Sequence, residues 1–157
     1  MKYKTLTSEQ LNEMHQEFAT FLATQKIDAK MWQEIKDTKP EMVAEEINLF
    51  SDLVWEKVLN KINYLDFVAP TQLDLFRCNP ETISRVVIKC NKKDFSFIKK
   101  EDYKWFINNS TNKIFTYFKG EKPYTKERNL EIFELLEKGC GISQGKLFES
   151  VSKIING

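Results

Sequence analysis

Apolar side chains in the first 70 residues recur every three or four positions, which is the spacing of one face of an α-helix. The pattern predicts helices over 8–25, 28–36 and 40–65. Thr7 and Gln10 have the spacing of a capping box at the first start, and Pro at position 40 suits the first turn of the third helix. The N-terminal part therefore reads as a three-helix unit around one long central helix.

The long helix has wider apolar coverage than a single stripe requires. Its main stripe steps by three or four residues, whereas Leu49 and Trp55 lie off that stripe. Asp52 and Glu56 lie near them with i, i+4 spacing, so the two carboxylates share a helix face. Apolar and acidic positions outside the buried stripe are typical of a docking surface, and we predict that Leu49, Asp52, Trp55 and Glu56 bind a partner protein.

The pattern changes after residue 70, where short β-branched and aromatic runs appear. Residues 82–90 form the clearest predicted strand, and 94–98 and 113–119 are two more. Residues 72–77 fit either a hairpin partner of the first strand or a helical turn, and the sequence does not separate these alternatives. A helix is predicted over 100–108, with Tyr103, Phe106 and Ile107 facing inward, and a loop over 120–124.

The C-terminal part predicts a helical hairpin. Thr125 can cap a helix that ends at Gly139, and Ser143 can cap the last helix, with Ile142 stapled to Leu147. The predicted fold class is thus α+β and mostly helical. It comprises a three-helix unit packed against a small antiparallel sheet of about three strands and a C-terminal helical hairpin. The 157 residues fit one domain, with possible subdomains over 1–68 and 69–157.

Charge adds a division that hydropathy does not show. The formal net charge is only +1, but residues 1–70 hold 8 Lys/Arg against 12 Asp/Glu, and residues 71–157 hold 16 against 11. Residues 85–126 concentrate 11 basic side chains among nine aromatic ones. Cations and rings on strands suit single-stranded nucleic acid. An alternative prediction is therefore nucleic-acid binding by Arg85, Lys89, Lys92, Lys93, Lys99, Lys100 and Lys104.

No set of residues predicts catalysis. The single histidine, His15, has no acid on its own helix face, and Cys140 has no second histidine to act as its base. The acids of the long helix lack the Glu-x-x-His partner of a di-metal bundle, and no phosphate-binding or nucleophile motif occurs. We expect no catalytic residues, no metal and no cofactor.

Location and assembly are only partly constrained. The three cysteines form no CxxC pair, which is typical of free thiols in a reducing cytoplasm. The N-terminus has no apolar signal region, and no apolar run of about 18 residues predicts a membrane span. We therefore expect a cytoplasmic protein with no membrane partner. The oligomeric state stays open.

Three stretches, LTSEQLNEMHQEFATFLATQKIDA, NLFSDLVWEKVLNKINYL and KGCGISQGKLFE, together carry a resemblance that spans nearly the whole chain. They resemble an uncharacterised family of small cytoplasmic proteins from Bacteroidota. The resemblance implies a soluble bacterial protein and supplies no site residues. The leading functional prediction is a non-enzymatic protein-interaction or adaptor module, with a nucleic-acid or ribosome-associated protein as the alternative.

Overall fold

A computed structural model describes all 157 residues and contains seven helices and five strands. The α+β class predicted from the sequence is confirmed. The chain divides into two compact units, Met1–Asn60 and Lys61–Gly157. No helix combines the length and the apolar character that a membrane crossing requires.

The first unit is entirely helical, with α1 at Ser8–Glu13, α2 at His15–Thr24, α3 at Ala29–Thr38 and α4 at Pro40–Asn60. The capping box is present, because Thr7 accepts from the backbone of Gln10 and the Gln10 side chain accepts from the backbone of Thr7. Its core is a cluster of buried apolar side chains from α2, α3 and α4 and the turn between α2 and α3: Phe18, Leu22, Ile27, Ile35 and Phe50.

Two helix boundaries differ from the prediction. The expected helix over 8–25 is broken at Met14, whose backbone leaves the α region at φ −104° and ψ 26°. The long helix ends at Asn60 and not at residue 65, because Leu65 is fully buried in a strand of the second unit. The apolar residues of β1 continue the helical spacing of α4. Periodicity alone therefore predicted the end of the long helix too late.

The second unit is built on a five-stranded antiparallel sheet in the order β4-β3-β2-β1-β5. Its strands are β1 Tyr64–Val68, β2 Gln72–Cys78, β3 Thr82–Cys90, β4 Phe115–Pro123 and β5 Gly141–Ser143. Three helices complete it, α5 Lys100–Asn108, α6 Arg128–Glu137 and α7 Lys146–Asn156.

Alternation along the strands gives the sheet two faces. Leu75 and Val86 are paired on what we call the core face, where they are fully buried with Phe106 of α5 and Phe148 of α7. The opposite face, called the outer face, carries residues one position along each strand: Phe67, Asp74, Phe76, Arg85, Val87, Lys89, Phe118 and Lys122.

The sheet has five strands and not about three. Residues 72–78 form the hairpin partner of β3, which resolves the open alternative, and β1 was not predicted. The predicted strand over 94–98 is wrong: Asp94 has φ +66°, a left-handed conformation that no strand contains. Phe95 and Phe97 are nevertheless buried in the core, so their apolar character reflects packing and not strand pairing.

The region from residue 120 to the C-terminus also differs from the prediction. The expected loop over 120–124 is mostly strand, because β4 continues to Pro123. The predicted helical hairpin is wrong, since Gly141–Ser143 pair with β1 as a fifth strand and Ile142 is exposed. The last helix begins only after Gly145, whose φ is +78° and where a Cβ atom would lie 2.5 Å from the ring of Tyr64.

The inward positions of α5 and the start of α6 need two smaller corrections. Tyr103 and Phe106 face the core as predicted, but Ile107 is 48% exposed. The helix expected from Thr125 begins at Arg128, after Glu127. Thr125 does not cap it; instead its backbone and hydroxyl both donate to Glu131.

Candidate functional site

A shallow groove in the first unit contains three of the four residues predicted to bind a partner. Leu49, Asp52 and Glu56 of α4 line it, at positions that follow one another on the same side of the helix. The groove has a volume of about 330 Å³ and is completed by Phe21 and Gln25 of α2 and by Leu53 of α4.

The floor of the groove is apolar and open to solvent. Leu49 is 52% exposed and Leu53 is 54% exposed, one helical turn apart. Phe21 is half-buried beside them, with its ring 5.4 Å from that of Phe50 in the core below. The close packing of α2 on α4 through Phe18 and Phe50 holds these side chains at the surface on a rigid base.

Trp55, the fourth predicted residue, lies half-buried against the N-terminal segment, which we define as residues 1–6. Its indole Nε1 donates to the carbonyl of Lys4 at 3.0 Å. In the same segment, the backbone amides of Lys2 and Tyr3 donate hydrogen bonds to the two carboxylate oxygens of Asp52, at 2.8 and 2.9 Å. Trp55 therefore helps to hold the N-terminal segment along α4.

Glu56 is also engaged by the N-terminal segment. The hydroxyl of Tyr3 donates to its Oε2 at 2.6 Å, and the Lys2 ammonium lies 3.8 Å from the same oxygen. Burial, and next the hydrogen bond to this carboxylate, raise the pKa of Tyr3 to about 12. The phenol consequently stays protonated and remains a donor at neutral pH.

The rim of the groove keeps a negative charge. Asp52 accepts from neutral backbone amides, which orient the carboxylate without cancelling its charge, whereas the Lys2 ammonium partly offsets the charge of Glu56. The groove residue Gln25 donates to Glu46 at 2.7 Å, which places a third carboxylate close by. The unit as a whole holds 7 Lys/Arg against 11 Asp/Glu. The groove can therefore accept apolar side chains in its floor and cations at its rim.

The basic residues predicted to bind nucleic acid are distributed over several elements. Arg85 and Lys89 lie on the outer face of β3, whereas Lys99, Lys100 and Lys104 belong to the start and middle of α5. Arg85 forms an ion pair with the buried Asp74 through Nε, at 2.9 Å, and Nη2.

Two of the predicted cations lie over aromatic rings. The Lys89 ammonium is 5.5 Å from the ring of Phe118, and that of Lys92 is 5.8 Å from the ring of Trp105. Both rings are exposed. Lys93 is exposed in the adjoining turn. The structure thus forms two separate cation–ring pairs, one on the outer face of β3 and β4 and one between the turn after β3 and α5.

The second unit also has a cavity of about 680 Å³ on the outer face of the sheet. Phe67, Phe76 and Leu135 line it together with several charged groups, of which Asp74 and Arg85 pair with each other. Asp74 binds Arg85 and accepts from Gln72 at 3.0 Å, and Glu134 binds Lys126. Glu131, Lys122 and Lys138 also line the cavity, and Oε2 of Glu131 is buried without a hydrogen-bond partner. The cavity therefore keeps charged groups that a ligand could contact.

Cys140 and His15, the two residues considered for catalysis, belong to different units. Cys140 lines the cavity but is buried; burial, followed by Asp74 and Asp66, raises the pKa of its thiol. His15 is exposed, with Nδ1 3.0 Å from the carbonyl of Asn12. No group of three or more His, Cys, Asp or Glu side chains has the geometry to hold a metal ion.

The sequence did not predict that Phe21 lines the groove. It also did not predict that the N-terminal segment hydrogen-bonds Asp52 and Glu56 and so fixes their orientation. By its i+3 spacing from Phe18, Phe21 fits the buried face of α2, so periodicity does not distinguish it from the core residues. The groove could have been found from the spacing of Leu49 and Leu53. Two leucines one turn apart, outside the buried stripe of a helix, form a local apolar strip on its surface.

The fold defines an α+β protein with a helical unit and an antiparallel-sheet unit. The chain belongs to the family of unknown function DUF6495, whose model matches residues 1–156. No curated protein and no solved structure has significant similarity to the chain.

Proposed function

We propose that the protein is a non-enzymatic protein-interaction module that binds a basic amphipathic helix of its partner in the groove of the first unit. The observation that carries this proposal is the pair of exposed leucines, Leu49 and Leu53, flanked by Asp52 and Glu56. A helix laid in a groove inserts apolar side chains at i, i+3 or i+4 and i+7, and keeps its polar face outside.

The charge at the rim of the groove determines which amphipathic helices of a partner can bind. Burying the two leucines favours any apolar stripe, at roughly 25 cal/mol per Å² of apolar surface. The carboxylates at the rim favour a stripe bordered by Lys or Arg and oppose one bordered by Asp or Glu, so electrostatics supplies the specificity. The binding should weaken as salt is raised, because the rim is exposed to solvent.

The peptide LKKLLKLLKKLLKL, whose leucines follow helical spacing, provides a direct test because it folds into a basic amphipathic helix. We expect fluorescence anisotropy to show saturable binding to the protein, and Leu53→Lys to weaken it by at least about tenfold, through loss of an apolar anchor and cation repulsion. Met31→Lys is the matched control, since Met31 is 44% exposed on α3 outside the groove.

Binding of the acidic counterpart LEELLELLEELLEL with equal affinity would contradict the charge argument. Equal weakening by Leu53→Lys and Met31→Lys would contradict the groove as the binding site. Circular dichroism of both variants establishes that each keeps the helical content of the parent protein.

Nucleic acid is the second candidate partner, supported by the pairs of Lys89 with Phe118 and of Lys92 with Trp105. Exposed rings next to cations can stack on bases while the ammonium groups contact phosphate. A filter-binding assay with single-stranded RNA at low salt tests it. We expect retention that falls with salt and falls at least about tenfold in Phe118→Ala. Retention that Phe118→Ala does not change excludes this surface.

Location forms part of the proposal. We place the protein in a bacterial cytoplasm, in keeping with its resemblance to small proteins from Bacteroidota. The free state of all three cysteines, each of them buried, supports a reducing compartment.

A further inference from the structure

The outer edge of β4 is a second surface that the structure leaves open, and it is independent of the groove in the first unit. β4 is nine residues long and lies at the end of the sheet, paired only with β3. Its residues from Phe118 to Pro123 are all exposed. A long open edge is a template for pairing with another strand.

The register shows which backbone groups are available. Asn91 donates to Ile114 and Tyr124 to Glu81, so these are hydrogen-bonded pairs of the antiparallel ladder. Such pairs alternate along a ladder, so the even-numbered residues of β4 bond to β3. The N–H and C=O groups of Tyr117, Lys119 and Glu121 therefore point away from the sheet.

We propose that β4 pairs with β4 of a second copy of this chain, antiparallel and centred on Gly120, to join two sheets into one. In this register Lys119 lies opposite Glu121 of the second copy, and the two-fold axis repeats the pair. Both residues have outward backbone groups, so about four hydrogen bonds form between these two pairs alone.

The side chains complement each other in the same register. Lys119 and Glu121 both belong to the core face of β4, because they pair with Val86 and Ser84, so an ion pair forms across each Lys119–Glu121 position. On the outer face, Phe118 lies opposite Lys122 of the second copy, where a cation can approach an exposed ring. The sequence FKGEK is thus self-complementary about its glycine.

The existing contacts of these side chains are compatible with this pairing. Glu121 uses Oε1 to accept from Ser84 and Thr82, both at 3.1 Å, and its Oε2 remains available to a lysine. The Lys119 ammonium lies 5.8 Å from the ring of Phe148 and has no carboxylate partner in its own chain. A Cβ atom at Gly120 would meet nothing within 4 Å, so two glycine positions can approach closely.

Cysteine cross-linking tests the register. Gly120 faces itself across the axis in a non-hydrogen-bonded pair, where Cα atoms are about 4.5 Å apart, which a disulfide can bridge. We expect the full-length Gly120→Cys variant to form a covalent dimer on oxidation. Lys122→Cys is the matched control on the same face: its two copies lie about 13 Å apart along the strands and should stay unlinked.

Charge reversal tests the interface in solution by sedimentation. Lys119→Glu places two carboxylates opposite each other, and we expect the dimer dissociation constant to rise at least about tenfold. The double variant Lys119→Glu/Glu121→Lys restores opposite charges and should recover the dimer. A monomer at concentrations up to about 1 mM overturns the proposal. So does equal cross-linking at positions 120 and 122, or a double variant as weak as the single one.

Discussion

The Phe106→Ala variant is expected to lose about 3–5 kcal/mol of unfolding free energy, enough to leave the second unit marginal. Phe106 is fully buried, and its ring lies 4.8 Å from that of Phe115 and 5.4 Å from that of Phe97. Truncation removes these edge-to-face contacts and leaves a cavity between α5 and the sheet. Urea denaturation followed by circular dichroism measures the loss.

Ile107→Ala is the control for this prediction, because Ile107 is the next residue on the same helix and is 48% exposed. We expect its effect to stay within about 0.5 kcal/mol, as is usual for surface positions. A loss of similar size in both variants would contradict the ring cluster as the source of the lost stability, since alanine has the higher helix propensity in both cases.

Arg128→Met is expected to lower the free energy of unfolding by about 2–4 kcal/mol. The guanidinium of Arg128 donates to three backbone carbonyls, those of Ile62 at 2.5 Å, Cys78 at 3.2 Å and Asn79 at 3.2 Å. Methionine retains the aliphatic stem but removes every donor, so the three carbonyls, which lie before β1 and at the end of β2, lose a charge-assisted bond. Differential scanning calorimetry should show a lower transition temperature.

Lys126→Met is the matched control for Arg128→Met. Lys126 binds Glu134 at the exposed surface, and such pairs contribute little to stability. We expect an unchanged transition temperature in this variant. A shift as large as that of Arg128→Met would instead point to the overall loss of positive charge.

Local rules predicted several elements closely. Residues 82–90 and 100–108 match β3 and α5, and the capping box at Thr7 is present. These features depend on neighbours within four residues, so a short stretch of sequence contains all the information that they need.

The missed elements depend on distant partners. β5 consists of three residues, and Gly141–Ser143 become a strand only because β1 lies beside them. Residues 120–123 read as loop because glycine and proline are poor strand formers, yet an edge strand tolerates both. The fold class depends on local patterns and was predictable from the sequence. The number of strands depends on pairing between distant segments and was not.

The candidate site shows the same division. The acids and Leu49 were found from helix spacing, which is local. The contribution of Phe21 required knowledge of how α2 packs on α4, and the contacts of Asp52 and Glu56 required the path of the N-terminal segment. Neither can be read from periodicity.

Photo-crosslinking in living cells tests the proposed partner-binding role most directly. Benzoylphenylalanine in place of Leu53 puts the reactive group in the groove, and the same substitution at Met31 is the matched control. We expect one discrete protein adduct from position 53, absent from position 31, whose cross-linked segment is a basic amphipathic helix. No adduct, the same adducts from both positions, or an acidic or extended cross-linked segment would contradict it.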